Sequence, residues 1–540
     1  MSRNKLIPQV TPRVSHPDIS NMITNGLALI NQHQFDAAKS IFEKALMIEP
    51  NNYDAMQILG AVMIQLGQFT KAVELLTKAI RINANNAHTY SNLSNALKAL
   101  GYLDEALQSS DKAIAINPKI AEAHMNKGAA LEGLGRIDEA LSSYDQALAI
   151  QPNYADALCN KGNILRKQNK LEEAIENYEK AIFIEPNQFK FYFNRGIALE
   201  ERMLIKEALE SYEKSIALNP DSETYFSKSL LLLLTGHYKE GWDLYEWRWK
   251  TEEFNASTLY KNYPSWLGDR NQTVLVWSEQ GIGDIIMFLS LIQEFKELCR
   301  KTVVLIDGRL LPLVNRLPHN KIIFLDASCP IENIEFDAHI PIGSLGKFLR
   351  LSEGSFKNAP SRYLFDEEQK TKDIRDQIYK ISGSTKKIYG ISWRTTNIKK
   401  GGERSIQLAK LIDSFSPNEY QFVNLQYGDS KREIEEARIA TGHHVIQIES
   451  IDNFNDIDGL ASLIKACDSV ISIDNSTAHL SGALGQDTRI LLPFRPNWRW
   501  LLDRMDCLWY PSAKLYRNNV SGDWQHALKM LRTDLDKTVH

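Results

Sequence analysis

Five prolines divide the first 220 residues of the chain into regular units. They stand at Pro50, Pro118, Pro152, Pro186 and Pro220. The last three intervals are 34 residues each, and the first interval is twice that length. A fixed period in this range is typical of stacked supersecondary units, because one unit alone cannot bury its apolar face. The spacing therefore predicts a repeat array and not a single globular core.

Small residues recur in each unit where paired helices would cross. They are Gly26, Gly60, Gly128, Gly162 and Gly196 on the first helix, and Ala38, Ala72, Ala106, Ala140, Ala174 and Ala208 on the second. This pattern resembles the tetratricopeptide repeat (TPR), a helix-turn-helix unit that stacks into a superhelical α-solenoid with a concave binding face. The resemblance covers six repeats, from about residue 19 to 220, and a degenerate seventh that is rich in tryptophan. We therefore assign 1–18 to an N-terminal extension and 19–255 to the solenoid.

Four successive repeats carry an asparagine at the same position of the first helix: Asn92, Asn126, Asn160 and Asn194. A row of amides that both donate and accept can pair with the peptide groups of an extended chain without reading its side chains. The O-GlcNAc transferases, which this architecture resembles, have such an asparagine ladder. We expect the ladder to bind a protein or peptide acceptor. The alternative is that these asparagines stabilise neighbouring helices.

Beyond about residue 265 the helical period gives way to short β-branched runs that alternate with helical stretches. The runs are TVLVW, TVVLI, KIIFL and FDAHI, then IYGIS, YQFVNL, HVIQI, SVISI and TRILLP. Such alternation is typical of parallel sheets covered by helices on both faces. We predict two α/β domains in tandem, 265–375 and 385–540, connected through the polar interval 357–387.

The turns after the strands of the second domain predict a ligand site, because ligands of such sheets bind beyond the carboxyl ends of the strands. The segment DNSTAHLSGALG opens a helix whose first-turn amides would be free to hold an anion such as a diphosphate. Its binding candidates are Asp474, Asn475, Ser476 and Thr477. The loop after IYGIS brings cations that could neutralise phosphate without a metal, namely Arg394, Lys399, Lys400 and Arg404.

Composition excludes several other classes of protein. The net charge of −4 favours neither nucleic acid nor an anionic membrane as a partner. Five scattered cysteines indicate no disulfide framework or zinc site, and no apolar segment has transmembrane length, so we expect a cytoplasmic protein without a cofactor. The one D-x-D pair, Asp456 and Asp458, opens a predicted helix. We interpret it as a helix cap in preference to a metal site, and we expect no metal.

Several motifs of the C-terminal half, taken in order, resemble those of bacterial TPR-containing glycosyltransferases. They are EQGIGD, SWRTTN, NLQYGD, ISIDNSTAHLSGALG and PNWRWLLDRMDCLWYPSAKLYR. This half is similar to the ADP-heptose heptosyltransferase family, which has the GT-B fold of two Rossmann-like domains. The resemblance implies an inverting, metal-independent enzyme that holds a nucleotide-sugar in the second domain and the acceptor in the first. The stretch IKKGGERSI departs from the family pattern, which leaves open which of its cations meets phosphate.

The resemblance also assigns roles around the glycine-bearing loop that follows TVLVW. Asp284 matches the general base of these enzymes, and Gly281 and Gly283 fall in the same loop with a donor-binding role. The alternative is that Asp284 caps the helix that follows. His479 is a second catalytic candidate, with buried packing as its alternative, and Gln426 falls where related enzymes contact the nucleotide. The tryptophans near the C-terminus are interpreted as core: Trp498, Trp500 and Trp509.

Two hypotheses from different classes follow from these features. The first is a glycosyltransferase whose solenoid presents a polypeptide, or as a less favoured acceptor a glycan, to the GT-B cleft. The second is a TPR adaptor that keeps an inactive transferase-like domain as a scaffold. The intact Asp284 and the intact loop 474–479 favour the first hypothesis. The residues give no preference among uridine, guanosine and adenosine nucleotides.

Overall fold

The chain divides into two compact units, with the division between Pro220 and Asp221. The computed structural model describes residues 17–252, 254, 262–316, 320–383, 386–395, 401–413, 415–416 and 419–539. Of the predicted N-terminal extension, residues 1–16 lie outside this range. None of the helices in these ranges combines the length and the hydropathy needed to cross a bilayer.

The first unit is built from six helix pairs, as the proline spacing predicts. The helices are α1 (Pro17–Asn31), α2 (Phe35–Ile48), α3 (Tyr53–Gln65), α4 (Phe69–Ile82), α5 (Ala87–Ala99), α6 (Leu103–Ile116), α7 (Ala121–Gly133), α8 (Ile137–Ile150), α9 (Ala155–Lys167), α10 (Leu171–Ile184), α11 (Phe189–Glu201) and α12 (Ile205–Leu218). Each helix packs on the next one along the chain, so that successive pairs stack into a solenoid.

The small residues of the repeat allow the paired helices to pack closely. The alanines at the crossing point of all six second helices are fully buried. A Cβ added to Gly128 would lie 2.6 Å from Tyr144 of the partner helix, and one added to Gly196 would lie 2.5 Å from Tyr212. In the third repeat Ser94 stands in place of the glycine, and its hydroxyl bonds to that of Ser110 at 2.7 Å. The predicted helix crossing is thus confirmed.

The second unit begins with the tryptophan-rich seventh helix pair, α13 (Ser222–Leu234) and α14 (Tyr238–Tyr245), which a 3-10 helix, Glu246–Lys250, follows. The indole Nε1 of Trp242 donates to the carbonyl of Arg350 at 2.8 Å, and its ring lies edge-on to Trp498 with centroids 5.3 Å apart. This pair is therefore packed against the α/β part of the chain, within the second unit.

Two parallel sheets make up the rest of the second unit. The first has the strand order β3-β2-β1-β4 and the second β10-β9-β8-β5-β6-β7. The strands are β1 (Thr273–Trp277), β2 (Lys301–Ile306), β3 (Ile322–Asp326), β4 (Ala338–Pro341), β5 (Lys387–Ser392), β6 (Tyr420–Asn424), β7 (Val445–Ile446), β8 (Ser469–Ile473), β9 (Thr488–Leu492) and β10 (Ala513–Arg517). Nine of them correspond to predicted runs, whereas β10 was not predicted.

Helices flank both sheets. They are α15 (Ile282–Leu289), α16 (Ile292–Phe295), α17 (Leu311–Val314), α18 (Gly346–Leu349), α19 (Glu368–Ser382), α20 (Gly401–Arg404), α21 (Leu408–Ile412), α22 (Lys431–Thr441), α23 (Ile457–Ala466), α24 (Ser476–Ala483) and α25 (Gln525–Val539). The polar interval predicted as a connection contains α19, which buries Ile374 and Ile378 and packs on α23. Asp456 caps α23 by accepting from the amide of Gly459 at 2.7 Å, as predicted.

Candidate active site

A cavity of about 380 Å³ lies between the two sheets, beyond the carboxyl ends of β1, β5 and β8. Both sheets contribute to its wall. Its lining is formed by Gly281, Ile282, Gly283, Asp284, Ile286, Arg309, Thr395, Arg404, Tyr427, Asn453, Phe454, Ile457, Leu460, Asp474, Asn475, Ser476, His479, Leu480 and Arg499. Most of the predicted site residues of the α/β part therefore share one cavity, which we call the cleft.

The glycine-bearing loop brings the first helix of one sheet close to a helix of the other. A Cβ added to Gly283 would lie 3.0 Å from the ring of His479 and 3.6 Å from the Cα of Ser476. A larger residue here would therefore push α15 away from α24. The N-cap of α15 is Gly281, which has no side chain to bond the helix amides. The glycines of this loop therefore let two helices approach each other closely, and the loop has no side-chain cap.

Asp284 lies in the first turn of α15, and its carboxylate pairs with the guanidinium of Arg499. The side chain is 24% exposed, so it can reach a ligand in the cleft. Burial raises its pKa above the usual range for an aspartate, and the cation of Arg499 opposes that shift. The alternative in which Asp284 serves as the helix cap does not match this geometry.

The N-terminus of α24 differs from the prediction of free first-turn amides. Asn475 is the N-cap, and its Oδ1 accepts from the amides of Thr477 and Ala478 at 3.0 and 3.3 Å. The expectation that these amides stay free for an anion is therefore wrong, because the capping side chain occupies them. Ser476 and Asn475 line the cleft, whereas Thr477 is buried behind it.

Asp474 and Arg404 form an ion pair beside that helix start, with Oδ2 and Nη1 3.4 Å apart. Asp474 is only 3% exposed. Burial alone would raise its pKa, but the cations of Arg404 and, to a smaller extent, Arg499 outweigh it and lower the pKa below the usual range. The carboxylate therefore stays charged and holds Arg404 at the cleft.

His479 lines the cleft and is also buried among aromatic side chains, so its position agrees with a site role and with the packing alternative. Its Nδ1 lies 2.7 Å from the hydroxyl of Tyr510, and its ring stacks on Trp500 with centroids 5.1 Å apart. Burial, reinforced by the nearby cation of Arg499, lowers its pKa to about 3. The imidazole is therefore neutral near pH 7, and it can orient a group or donate a hydrogen bond but does not supply a positive charge.

Arg394 is placed differently from the prediction. Its Nε donates to a carboxylate oxygen of Glu433 at 2.8 Å and its Nη2 to the carbonyl of Asp429 at 2.7 Å, and its side chain does not line the cleft.

Gln426 forms hydrogen bonds within the protein, since its Oε1 accepts from the amides of Trp393 and Arg394 at 2.9 Å. Gln426 thus shapes the loop after β5.

The two remaining cations of the predicted anion site are Lys399 and Lys400, and both lie outside the described residues. Among the described residues, Arg404 is the predicted cation that lines the cleft. The roles of all these residues in binding and catalysis stay predictions.

Two arginines of the cleft were missed at the level of the sequence. Arg499 stands between Trp498 and Trp500, which are buried core residues as predicted. Arg309, which follows β2, donates to the carbonyl of Phe454 at 2.9 Å and thereby connects the two sheets. A basic residue inside an aromatic run after a strand end was the available signal for Arg499.

A group of buried ion pairs lies behind the start of the glycine-bearing loop. Arg248 of the 3-10 helix is fully buried, and its Nη2 lies 3.2 Å from Glu279 Oε1 and 2.8 Å from the hydroxyl of Ser344. Its Nη1 pairs with Glu246 at 2.8 Å. Glu279 opens the motif that contains Asp284, and burial raises its pKa while Arg248 opposes the shift. We call these four side chains the Arg248 group.

The asparagine ladder of the first unit is not uniform. Each of its last three side chains reaches a residue 35 positions earlier, in the preceding repeat. Asn126 Nδ2 donates to the carbonyl of Ser91 at 3.0 Å, whereas Asn160 and Asn194 face the sulfur atoms of Met125 and Cys159 at 3.9 and 3.2 Å. Asn126 is buried, while Asn160 and Asn194 keep partial exposure. Asn126 therefore agrees with the alternative in which these asparagines stabilise neighbouring helices.

The first rung, Asn92, is 2% exposed. A rung that is closed to solvent offers no amide to a ligand. The part of the ladder that remains open to an extended peptide is thus Asn160 and Asn194.

Within the described residues, no group of three or more histidine, cysteine, aspartate or glutamate side chains is arranged to hold a metal ion. The predicted independence from metal remains a prediction. All five cysteines lie in the described ranges, and all are free thiols.

Comparison with known proteins identifies the repeats. Family models described as tetratricopeptide repeat match residues 29–97, 87–120, 121–154 and 143–176, and one described as TPR repeat matches 162–201. The chain therefore carries multiple tetratricopeptide repeats in its N-terminal half.

A curated relative and several solved structures are similar to parts of the chain. Protein FlbA of Caulobacter vibrioides is 28% identical over 331 residues, which is 57% of this chain and 54% of FlbA. This chain thus spans about half the length of that relative. A thermophilic TPR protein of Thermus thermophilus, TTC0263, is 27% identical, over 34% of this chain and 98% of its own, with a TM-score of 0.31. MamA is 25% identical, over 30% of this chain and 94% of its own, with a TM-score of 0.26.

Proposed function

We propose that the protein is an inverting, metal-independent glycosyltransferase of the GT-B fold, which moves a sugar from a nucleotide-sugar to an acceptor. One observation carries the proposal. A carboxylate from the first sheet, Asp284, and two arginines from the second, Arg404 and Arg499, face the same cleft beyond the strand ends. A proton acceptor and phosphate-binding cations in one cavity are the groups that sugar transfer needs.

The chemistry assigns each group to one part of the reaction. The hydroxyl of the acceptor attacks the anomeric carbon, and Asp284 takes its proton. The bond between the anomeric carbon and the phosphate oxygen breaks as the new glycosidic bond forms on the opposite face, so the centre is inverted. The leaving nucleotide carries away the negative charge, which Arg404 and Arg499 stabilise. Fixed guanidinium groups here take the place that a metal has in other transferases.

We further propose that the acceptor is a protein, which the repeats capture as an extended segment. TPR solenoids bind other proteins through their concave faces, and the side chains of Asn160 and Asn194 stay partly exposed. The similarity to FlbA extends beyond the repeats of the first unit, because the 57% of this chain that it covers is longer than the 220 residues of that unit. A scaffold without enzyme activity is the competing function for a TPR protein.

The first test is a panel of nucleotide-sugars incubated with the full chain, with release of free nucleotide as the readout. We expect one donor to be consumed, slowly with water and faster with an acceptor protein, and we expect EDTA to leave the rate unchanged. Loss of activity in EDTA and its return with magnesium or manganese would refute metal independence. Consumption of no donor would favour the scaffold.

Replacing single arginines tests the placement of the phosphate site. Arg404→Gln should weaken binding of the nucleoside diphosphate about tenfold or more, since charge-assisted hydrogen bonds contribute roughly 1.5–3 kcal/mol each. Arg394→Gln is the matched control, because its guanidinium is held by Glu433 and faces away from the cleft. Calorimetric titration measures both variants. An equal loss in the two would mean that the loop of Arg394 also contacts phosphate.

The asparagines of the ladder should separate into two classes. Asn160→Ala with Asn194→Ala should lower transfer to a protein acceptor through weaker capture and leave donor hydrolysis by water unchanged. Asn126→Ala should instead destabilise the solenoid by about 1 kcal/mol through loss of its bond to Ser91. Far-ultraviolet circular dichroism in denaturant measures the second effect. Normal transfer by the double variant would place acceptor recognition elsewhere.

A further inference from the structure

Arg499 is held in the wall of the cleft by groups that a ligand could replace. Its side chain is 9% exposed and projects from a 3-10 helix, Trp498–Trp500. One nitrogen, Nη2, pairs with Asp284, and within the described part of the chain the buried Nε has no hydrogen-bond partner. A buried guanidinium with an unused donor beside a cavity is able to take a further acceptor.

Every cation in the described lining of the cleft already has a carboxylate partner. The pairs are Arg309 with Asp307, Arg404 with Asp474, and Arg499 with Asp284. An incoming phosphate must therefore either share a guanidinium with its carboxylate, through N–H groups that the carboxylate leaves unused, or displace that carboxylate. A displaced carboxylate must be solvated or protonated. The pair of Arg404 with Asp474 and the pair of Arg499 with Asp284 differ in how well their carboxylates tolerate that displacement.

Exposure decides which pair can separate. Asp474 is only 3% exposed, and an unpaired charge at such a position is strongly destabilising. Asp284 is 24% exposed, so water or a substrate hydroxyl can replace the arginine there. The pair of Asp284 and Arg499 is therefore the one that a phosphate can open.

We propose that the phosphate of the bound donor takes Arg499 from Asp284, and that this exchange frees the carboxylate to accept the proton of the acceptor hydroxyl. The inference rests on the proposed transferase function. In the protein without donor, Arg499 forms an ion pair with the carboxylate of Asp284. In the protein with bound donor, Arg499 stabilises the leaving phosphate. Binding of donor and activation of the base thus become one event, and a chain without donor keeps Asp284 engaged.

The exchange has a consequence that a purely structural ion pair would not produce. If Asp284 competes with phosphate for Arg499, then Asp284→Asn should bind the nucleoside diphosphate more tightly than the natural chain does, by roughly fivefold. Arg499→Gln should bind it about tenfold or more weakly. In the Arg499→Gln background, Asp284→Asn should give no further gain, because the competition no longer exists.

The experiment is a calorimetric double-mutant cycle on the full chain with uridine, guanosine and adenosine diphosphates as probes. Asp307→Asn, which changes the partner of Arg309 in the same cleft, is the matched control and should not tighten binding. Equal or weaker binding by Asp284→Asn would overturn the exchange, and so would a gain that persists without Arg499.

Two further outcomes are distinguishable. If the natural chain binds none of the three nucleotides, the proposed function and the exchange fail together. If it binds one of them and Asp284→Asn gives no gain, only the exchange fails. Should Arg499→Gln not fold, as judged by its thermal unfolding, the Asp284→Asn arm and an Arg499→Lys variant, which keeps the charge, still decide the question.

Discussion

Asp284→Asn is expected to lower sugar transfer by roughly two or more powers of ten, the usual contribution of a general base, while nucleotide binding is retained. The substitution keeps the size of the side chain and removes its capacity to take a proton. Initial rates of transfer to an acceptor protein, measured with saturating donor, give the effect on chemistry. Retained transfer in a folded Asp284→Asn variant would show that the residue does not act as the base.

The dependence of the natural chain on pH provides a second readout for the same residue. Burial raises the pKa of Asp284, so the base is lost by protonation at a higher pH than for an ordinary aspartate. Transfer should therefore decline on acidification before most surface carboxylates are protonated. His479 should not contribute to this decline, since its pKa is lowered to about 3 and it stays neutral throughout.

Arg248→Met is expected to destabilise the second unit by about 3–5 kcal/mol, because it leaves the carboxylate of Glu279 buried without its cation. All ten tryptophans of the chain lie beyond residue 220, so tryptophan fluorescence in denaturant reports on the unfolding of this unit. The expected result is a lower denaturant midpoint with an unchanged slope.

The control for this prediction is Arg300→Met, which removes an arginine–aspartate ion pair of the second unit, beside the first sheet. Arg300 and Asp337 are 63% and 47% exposed, and an exposed pair contributes little to stability. A second substitution, Glu279→Gln, should recover part of the loss in the Arg248→Met background by removing the unpaired charge. An Arg248→Met midpoint equal to that of the control would mean that the Arg248 group does not support the fold.

The repeats could be predicted from the sequence because their period is set by packing that recurs in each unit. In five of the six helix pairs a glycine faces a large side chain sixteen residues later, which is a tyrosine in the last three pairs, as Gly128 faces Tyr144. The parallel strands were predictable for a related reason, since buried strands are continuous apolar runs. The strand β10, AKLYR, escaped prediction because it lies at the edge of its sheet and alternates polar with apolar residues.

The cleft could be predicted only in part, because its geometry depends on contacts between residues far apart in sequence. The turns after β1 and β8 were found from their composition, and they do meet at the cleft. The pairing of Asp284 with Arg499 spans 215 positions, and the sequence around either residue does not indicate it. Arg394 had the composition of a phosphate ligand, yet Glu433 turns its guanidinium away from the cavity. Asn475 fits a helix cap so well that it occupies amides expected to be free.

The most direct test of the central claim is a crystal structure of the full chain with the nucleotide that the donor panel selects. We expect phosphate density in the cleft, within hydrogen-bond distance of the guanidinium groups of Arg404 and Arg499 and beside the start of α24. Nucleotide bound outside this cleft, or phosphate that contacts neither arginine, would contradict it.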